Sequence, residues 1–132
     1  MASKKNILKS KAILTMLKEK YPHLIDYKSD QIIPLWTGIT GEIIKDLHIH
    51  PDHHQAIKNA ISYYQTWSVY LQALAFSRVK YSLWKEEKQH TNAEERNLAR
   101  SILIKRGVWT QQMEGAFMGK LLQKNSNENN WL

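Results

Sequence analysis

Residues 63–84 read YYQTWSVYLQALAFSRVKYSLW and hold seven of the chain's thirteen aromatic side chains, with only two charges, Arg78 and Lys80, both basic. Cations beside accessible rings can hold a phosphate chain that ends in an unstacked base: the cations pair with phosphate and the ring stacks on the base. The competing reading is ordinary packing, because a ring at an apolar helical position is usually buried. Tyr64, Trp67, Tyr81 and Trp84 are expected to pack in the core or the hairpin. Tyr70, Lys58 and Lys80 are the exceptions, since Lys80 lies off the Val79 and Tyr81 face and Lys58 lies off the apolar stripe of its helix. A chain that folds helix, helix, hairpin in quick succession can bring both ammonium groups to Tyr70. An electropositive pocket containing a ring is therefore expected.

Other chemistry has weaker signals. The run HIHPDHH at residues 48–54 contains four imidazoles, the commonest metal-ligating side chain. Its spacing is poor: His50 precedes a proline and is biased out of the helix carrying His53 and His54, and those neighbours point about 100° apart. A solvated helix start is the better reading, and no metal site is expected. GAFMG at residues 115–119 matches a helix-packing pattern that carries meaning only within a long apolar segment. There is no nucleophile elbow, phosphate-binding loop or dinucleotide-binding glycine pattern, so neither an enzyme nor a cofactor is expected.

The charge balance agrees with a polyanionic partner. The chain of 132 residues carries a formal net charge of +7 and has a pI near 9.6, which favours nucleic acid or an anionic surface. The excess is uneven: residues 1–20 carry six Lys against Glu19, residues 21–60 three Lys against five acids, and residues 61–132 ten basic against six acidic groups. With no cysteine there is no disulfide framework or thiolate site. The N-terminal apolar residues are interrupted by Lys9 and Lys11, and no apolar run approaches the roughly 20 residues of a membrane span. A cytoplasmic monomer with no membrane or small-molecule partner is expected.

The elements that must position these residues follow from periodicity. Ile13, Met16, Leu17 and Tyr21 make a first helix with Ser10 as N-cap and Pro22 as stop. Ile32 to Trp36 could be a brief strand, and Ile39, Ile43, Ile44 and Leu47 form a short helical stripe. Pro51 suits the start of a third helix with Ile57, Ala60, Ile61 and Tyr64 on one face. Thr66 suits the cap of a fourth, which presents Trp67, Tyr70, Leu71 and Leu74. Alternation through residues 79–84 predicts a hairpin around 78–90. Thr91 with Glu94, or Asn92 with Glu95, forms a capping box for a long helix with Leu98, Ala99, Ile102 and Leu103 as its apolar face and Gly107 at its end. Trp109, Met113, Phe117 and Leu121 could share one side of a weaker helix, and the final KNSNENN reads as a disordered tail. The fold class is mostly α with short strands, about five helices and one hairpin.

The order ILTMLKEKYPHL, IIPLWTGITGEII, AIKNAISYYQTWSVYLQALAFSRVKYSL resembles the ProQ/FinO domain, a bacterial family of RNA chaperones, over about residues 8–104. The resemblance implies a mostly helical α+β fold with a basic concave face that engages base-paired RNA followed by a single-stranded 3′ end, typically a terminator hairpin. Small RNAs and mRNA 3′ ends are the implied partners, protected and helped to pair in post-transcriptional regulation. By position, the family's tyrosine falls on Tyr70, followed by Leu71, in SVYL; its hairpin cation falls on Lys80, and a basic position of the third helix falls on Lys58. The resemblance implies that Tyr70 and Lys80 line a pocket for the 3′ end and that Lys58 contacts the backbone, with Arg78 beside them. Residues 1–7 become a basic flexible arm, residues 8–107 the RNA-binding domain and 108–132 an extension, with Lys4, Lys5, Lys9 and Lys11 contacting the duplex stem. The chain departs from the family pattern at Trp36, where a Lys is frequent, at Ser62, a second basic position, at Ser82, the motif Asp, and at Lys85, a turn Gly. Two alternatives remain: a DNA-binding winged-helix module built on the third and fourth helices, and a protein-interaction adaptor presenting Trp109, Met113 and Phe117.

Overall fold

The computed structural model describes residues 4–28 and 30–119. Helix α1 (Lys4–Lys20) begins earlier than its periodicity predicts, so Ser10 is a buried mid-helix residue rather than an N-cap. Ser10, Leu14, Leu17 and then Tyr21 form the buried stripe, while Ile13 and Met16 are only partly covered. The expected flexible arm is consequently helical from Lys4, and Lys4, Lys5, Lys9 and Lys11 sit on a helix. Pro22 disfavours helical geometry at Tyr21, and α1 stops at Lys20.

Helix α2 (Ile39–Leu47) buries Ile39 and Ile43. The histidine-rich stretch then serves the backbone. His48 takes a left-handed conformation at the end of α2, the His50 ring accepts from the Asp52 N–H to start the short turn Pro51–His53, and His54 Nε2 donates to the Ile49 carbonyl at 2.9 Å. Among the described residues no group of three His, Cys, Asp or Glu is placed to hold a metal ion. Helix α3 (His54–Tyr64) buries Ile57, Ala60, Ile61 and Tyr64, the stripe that spacing predicts, and packs along α1 and α2. Burying each of the two isoleucines contributes ~1.5–3 kcal/mol, so this stripe helps to hold the first core together.

Helix α4 (Ser68–Phe76) follows after three residues. Thr66 does not cap it; its hydroxyl donates to the Tyr63 carbonyl at 2.6 Å and closes α3 instead. Helix α4 buries Tyr70 in the first core and Leu71 and Ala75 in a second. Strands β1 (Val79–Tyr81) and β2 (Glu87–His90) form the expected antiparallel hairpin, pairing Lys80 with Gln89 and bulging between Lys80 and Tyr81. The brief strand expected at Ile32 to Trp36 is reduced to one parallel bridge, Leu35 with Tyr81. Proline at position 34 has no N–H for the ladder, although its carbonyl accepts from Tyr81 N at 2.8 Å.

Alternation ends at Tyr81. Ser82 turns inward, fully buried, and its hydroxyl oxygen accepts from the N–H groups of Trp84 and Glu86 at 3.3 and 3.1 Å. A carboxylate could take the same two bonds, so Ser82 can fill the place of the Asp that the resemblance implies here. Lys85 holds φ at +63°, a conformation that suits glycine.

Helix α5 (Ala93–Lys105) is capped by Asn92 and Glu95 in a reciprocal box. Gly107, at φ +74°, ends it, with Val108 N bonded to Leu103 O and Gly107 N to Ile104 O in the pattern that lets glycine terminate a helix. Ala99 and Leu103 face inward, but Leu98 is exposed, because only one side of α5 meets α4. Residues 111–119 form α6. Its Phe117 is buried against Phe76 and Trp109, which stack with centroids 5.6 Å apart. Trp109 and Phe117 of the face that an adaptor would expose are thus spent on the second core, and Met113 is half-buried outside it. Leu121 and the KNSNENN tail lie outside the described residues.

Candidate functional site

The convergence predicted for Tyr70, Lys58 and Lys80 is present. All three line one solvent-open hollow of about 420 Å3, with walls from Leu35 and Trp36, Thr40 of α2, Ser62 of α3, Gln65 before α4 and Glu95 of α5. That volume lies within the range of small-ligand sites. Lys58 stands exposed at the rim, one position beyond the buried Ile57. Lys80 reaches in from the middle of β1, where one neighbour is Gln89 on β2 and the next residue is bridged to Leu35.

Tyr70 is set deep, only 3% exposed. Its hydroxyl oxygen accepts from Leu35 N at 3.0 Å and from Gln65 Nε2 at 3.4 Å. Burial pushes its phenol above the ordinary value, so at neutral pH it keeps its proton and can donate. The ring packs edge-on to Tyr64 at 5.3 Å. Tyr70 is thus a core residue whose polar tip reaches the floor of the hollow.

Glu95 is the site residue that the sequence concealed. Its Oε1 pairs with Lys80 Nζ at 2.7 Å, the two side chains 13% and 22% exposed, while Oε2 accepts from Asn92 N at 3.0 Å. The capping box accounts for one carboxylate oxygen and gives no hint of the other. The lining therefore carries two cations and one anion, and is less positive than the cations alone suggest.

Other expected site residues lie elsewhere. Leu71 turns into the second core beside Ala75, Ala99 and Leu103. It acts as packing, because consecutive helical residues point about 100° apart. Arg78 precedes β1 and does not line the hollow; its carbonyl accepts from Thr91 N. Lys9 borders a separate groove between α1 and α3 with Asp52 and Gln55, and Lys11 is exposed on α1. Helix α4 has no charged and no fully exposed residue and, besides the buried Tyr70, only the half-buried Ser68 and Gln72 as polar side chains, a poor surface for reading a DNA groove.

The architecture defines a small helical domain with one hairpin and a ring-floored hollow of mixed charge. The ProQ/FINO family model matches residues 7–114, and the chain belongs to that family. The fold is similar to a crystal structure of a FinO-like RNA chaperone from Neisseria meningitidis, with a TM-score of 0.58 and 21% identity over 76% of each chain. It is also similar to the solution structure of a ProQ homolog from Legionella pneumophila, with a TM-score of 0.58 and 22% identity, covering 83% of this chain and 90% of that one. A comparison with curated proteins finds no match. At these identities the structural likeness speaks for the fold.

Proposed function

We propose that this protein is an RNA chaperone that holds the 3′ end of structured RNA in the hollow. The carrying observation is the meeting of Tyr70, Lys58, Lys80 and Glu95 on a single open cavity of about 420 Å3. Family membership and the likeness to the FinO-like RNA chaperone from Neisseria meningitidis support the same reading.

The mixed lining suits the end of a strand better than its middle. An internal nucleotide offers a phosphate on each side, and a phosphate pushed against Glu95 is repelled. A terminal ribose offers hydroxyl donors instead, which the Glu95 carboxylate can accept, while Lys80 and the Tyr70 hydroxyl face the last phosphate and Lys58 faces the one before it. The exposed lysines of α1 are available to the duplex stem. Occupying the end shields it from exonucleases, and lysines that neutralise phosphates ease the approach of a second strand; neither needs a catalytic group.

A gel-shift series tests this. A hairpin RNA with a single-stranded tail ending in a free 3′ hydroxyl should bind more tightly than the same RNA ending in a 3′ phosphate, and Glu95→Gln should narrow the gap. Equal affinity for both ends, or better competition by duplex DNA, rejects the reading. Affinity should also fall with salt by a slope of about 0.7–0.9 per phosphate contacted.

A further inference from the structure

We propose that Trp36 is a stacking platform for the terminal base of the RNA, an inference that rests on the 3′-end reading above. Trp36 is held as a preset wall of the hollow. Its Nε1 donates to Glu42 Oε1 at 2.6 Å, and the same oxygen accepts from Leu83 N at 2.9 Å, tying the indole to both α2 and the hairpin turn. Its own N–H donates to the Tyr81 carbonyl at 3.1 Å.

Gly38 gives the ring its seat. A Cβ on Gly38 would lie 2.4 Å from Cη2 and Cζ2 of Trp36, so the indole folds against backbone that carries no side chain. Trp36 is only partly buried: it packs against the first core, shares the hollow's lining with Tyr70 and Lys80, and has the Lys88 ammonium 5.7 Å from its ring centroid. Lys88 is exposed and can swing from the ring to a phosphate when a base arrives. Tyr70 cannot provide the stacking surface, since it is 3% exposed and its ring is packed in the core. A site for an unstacked nucleotide needs an aromatic face to replace the lost base stack, and Trp36 is the aromatic residue besides Tyr70 that lines this hollow. Because every base has a π-face, the platform tolerates sequence while demanding that a base be present.

The test pairs protein variants with a tailed hairpin RNA, either intact or abasic at its 3′-terminal nucleotide. Trp36→Ala should weaken binding of the intact RNA by about 5- to 150-fold, the range of one base–aromatic stack, and should barely affect the abasic RNA. Trp36→Phe should keep most of the affinity. Gly38→Ala leaves the indole intact but displaces it, and φ of −92° at position 38 admits alanine; it should reproduce the Trp36→Ala pattern and serves where that variant folds poorly. 2-Aminopurine placed as the terminal base should be quenched on binding wild type and not Gly38→Ala. If Lys80→Ala weakens binding yet removal of the terminal base costs wild type and Gly38→Ala the same factor, the stacking inference fails and the 3′-end reading stands. If no tailed hairpin binds, or Lys80→Ala is without effect, both fail.

Discussion

The hollow and the second core combine the same ingredients to different ends. In the hollow Lys80 pairs with Glu95 at 2.7 Å above Tyr70; in the second core Arg100 pairs with Glu114 beside Trp109 and Phe117. The Arg100 pair is bidentate, at 2.7 and 2.6 Å, and Trp109 Nε1 adds a third donor to Glu114 at 3.0 Å. Its geometry is closed, and it clasps α6 to α5. Lys80 is a point charge with three donors, and among the described residues its ammonium has one ion-pair partner. The spare capacity belongs to a side chain that lines the open hollow. Exposure alone would mislead, because the clasp is the more exposed pair, at 29% and 40% against 13% and 22%. What separates a closed structural pair from one that can still take a ligand is how far its hydrogen-bonding groups are already satisfied.

The comparison can be broken from either side, and the largest expected effect lies in the second core. Phe117→Ala should cost about 3–5 kcal/mol of stability, read by thermal or urea unfolding, while the folded fraction binds RNA as wild type does; lost affinity in folded protein would join the two regions. For the same reason, truncation after Gly107 strips Trp109 and Phe117 from the second core and should destabilise the domain. Lys80→Ala should do the reverse, lowering RNA affinity by about 1.5–3 kcal/mol, the scale of a charged hydrogen bond. The exposed Lys105→Ala serves as its control, and equal losses for the two lysines would count against a defined site.

Smaller effects sharpen the picture. Tyr70→Phe leaves the buried Leu35 N–H without its acceptor, so about 1–3 kcal/mol of stability should be lost, measurable by urea unfolding. Lys85→Gly relieves a left-handed lysine and should stabilise by no more than about 1 kcal/mol, with RNA affinity nearly unchanged. The acid response should be the most modest. Arg100 and then Trp109 hold the Glu114 carboxyl below its ordinary value of 4.5. The unfolded chain therefore binds this proton first, so the clasp's contribution is complete above about 4.5 and is lost as pH falls through the lowered folded value. Wild type should lose melting temperature in acid slightly faster than Glu114→Gln, and parallel curves would remove the clasp from the account.

Much of this was written in the chain's local patterns. The stripe Ile57, Ala60, Ile61 and Tyr64 and the Gly107 stop are set by spacing and by residue chemistry that acts within a turn or two, and each stands where the sequence places it, while of the two capping boxes the sequence allows the structure takes Asn92 with Glu95. So does the meeting of Tyr70, Lys58 and Lys80, because short connections leave two helices and a hairpin few ways to pack. Tertiary structure decided what depends on partners far along the chain. It sent Leu71 and Phe117 into a second core, engaged the free oxygen of Glu95 with Lys80, and seated Trp36 against Gly38 under the hold of Glu42. A local pattern states which side chains can face inward together, but whether a charge meets its counter-charge or a cavity is settled only when remote segments close around it.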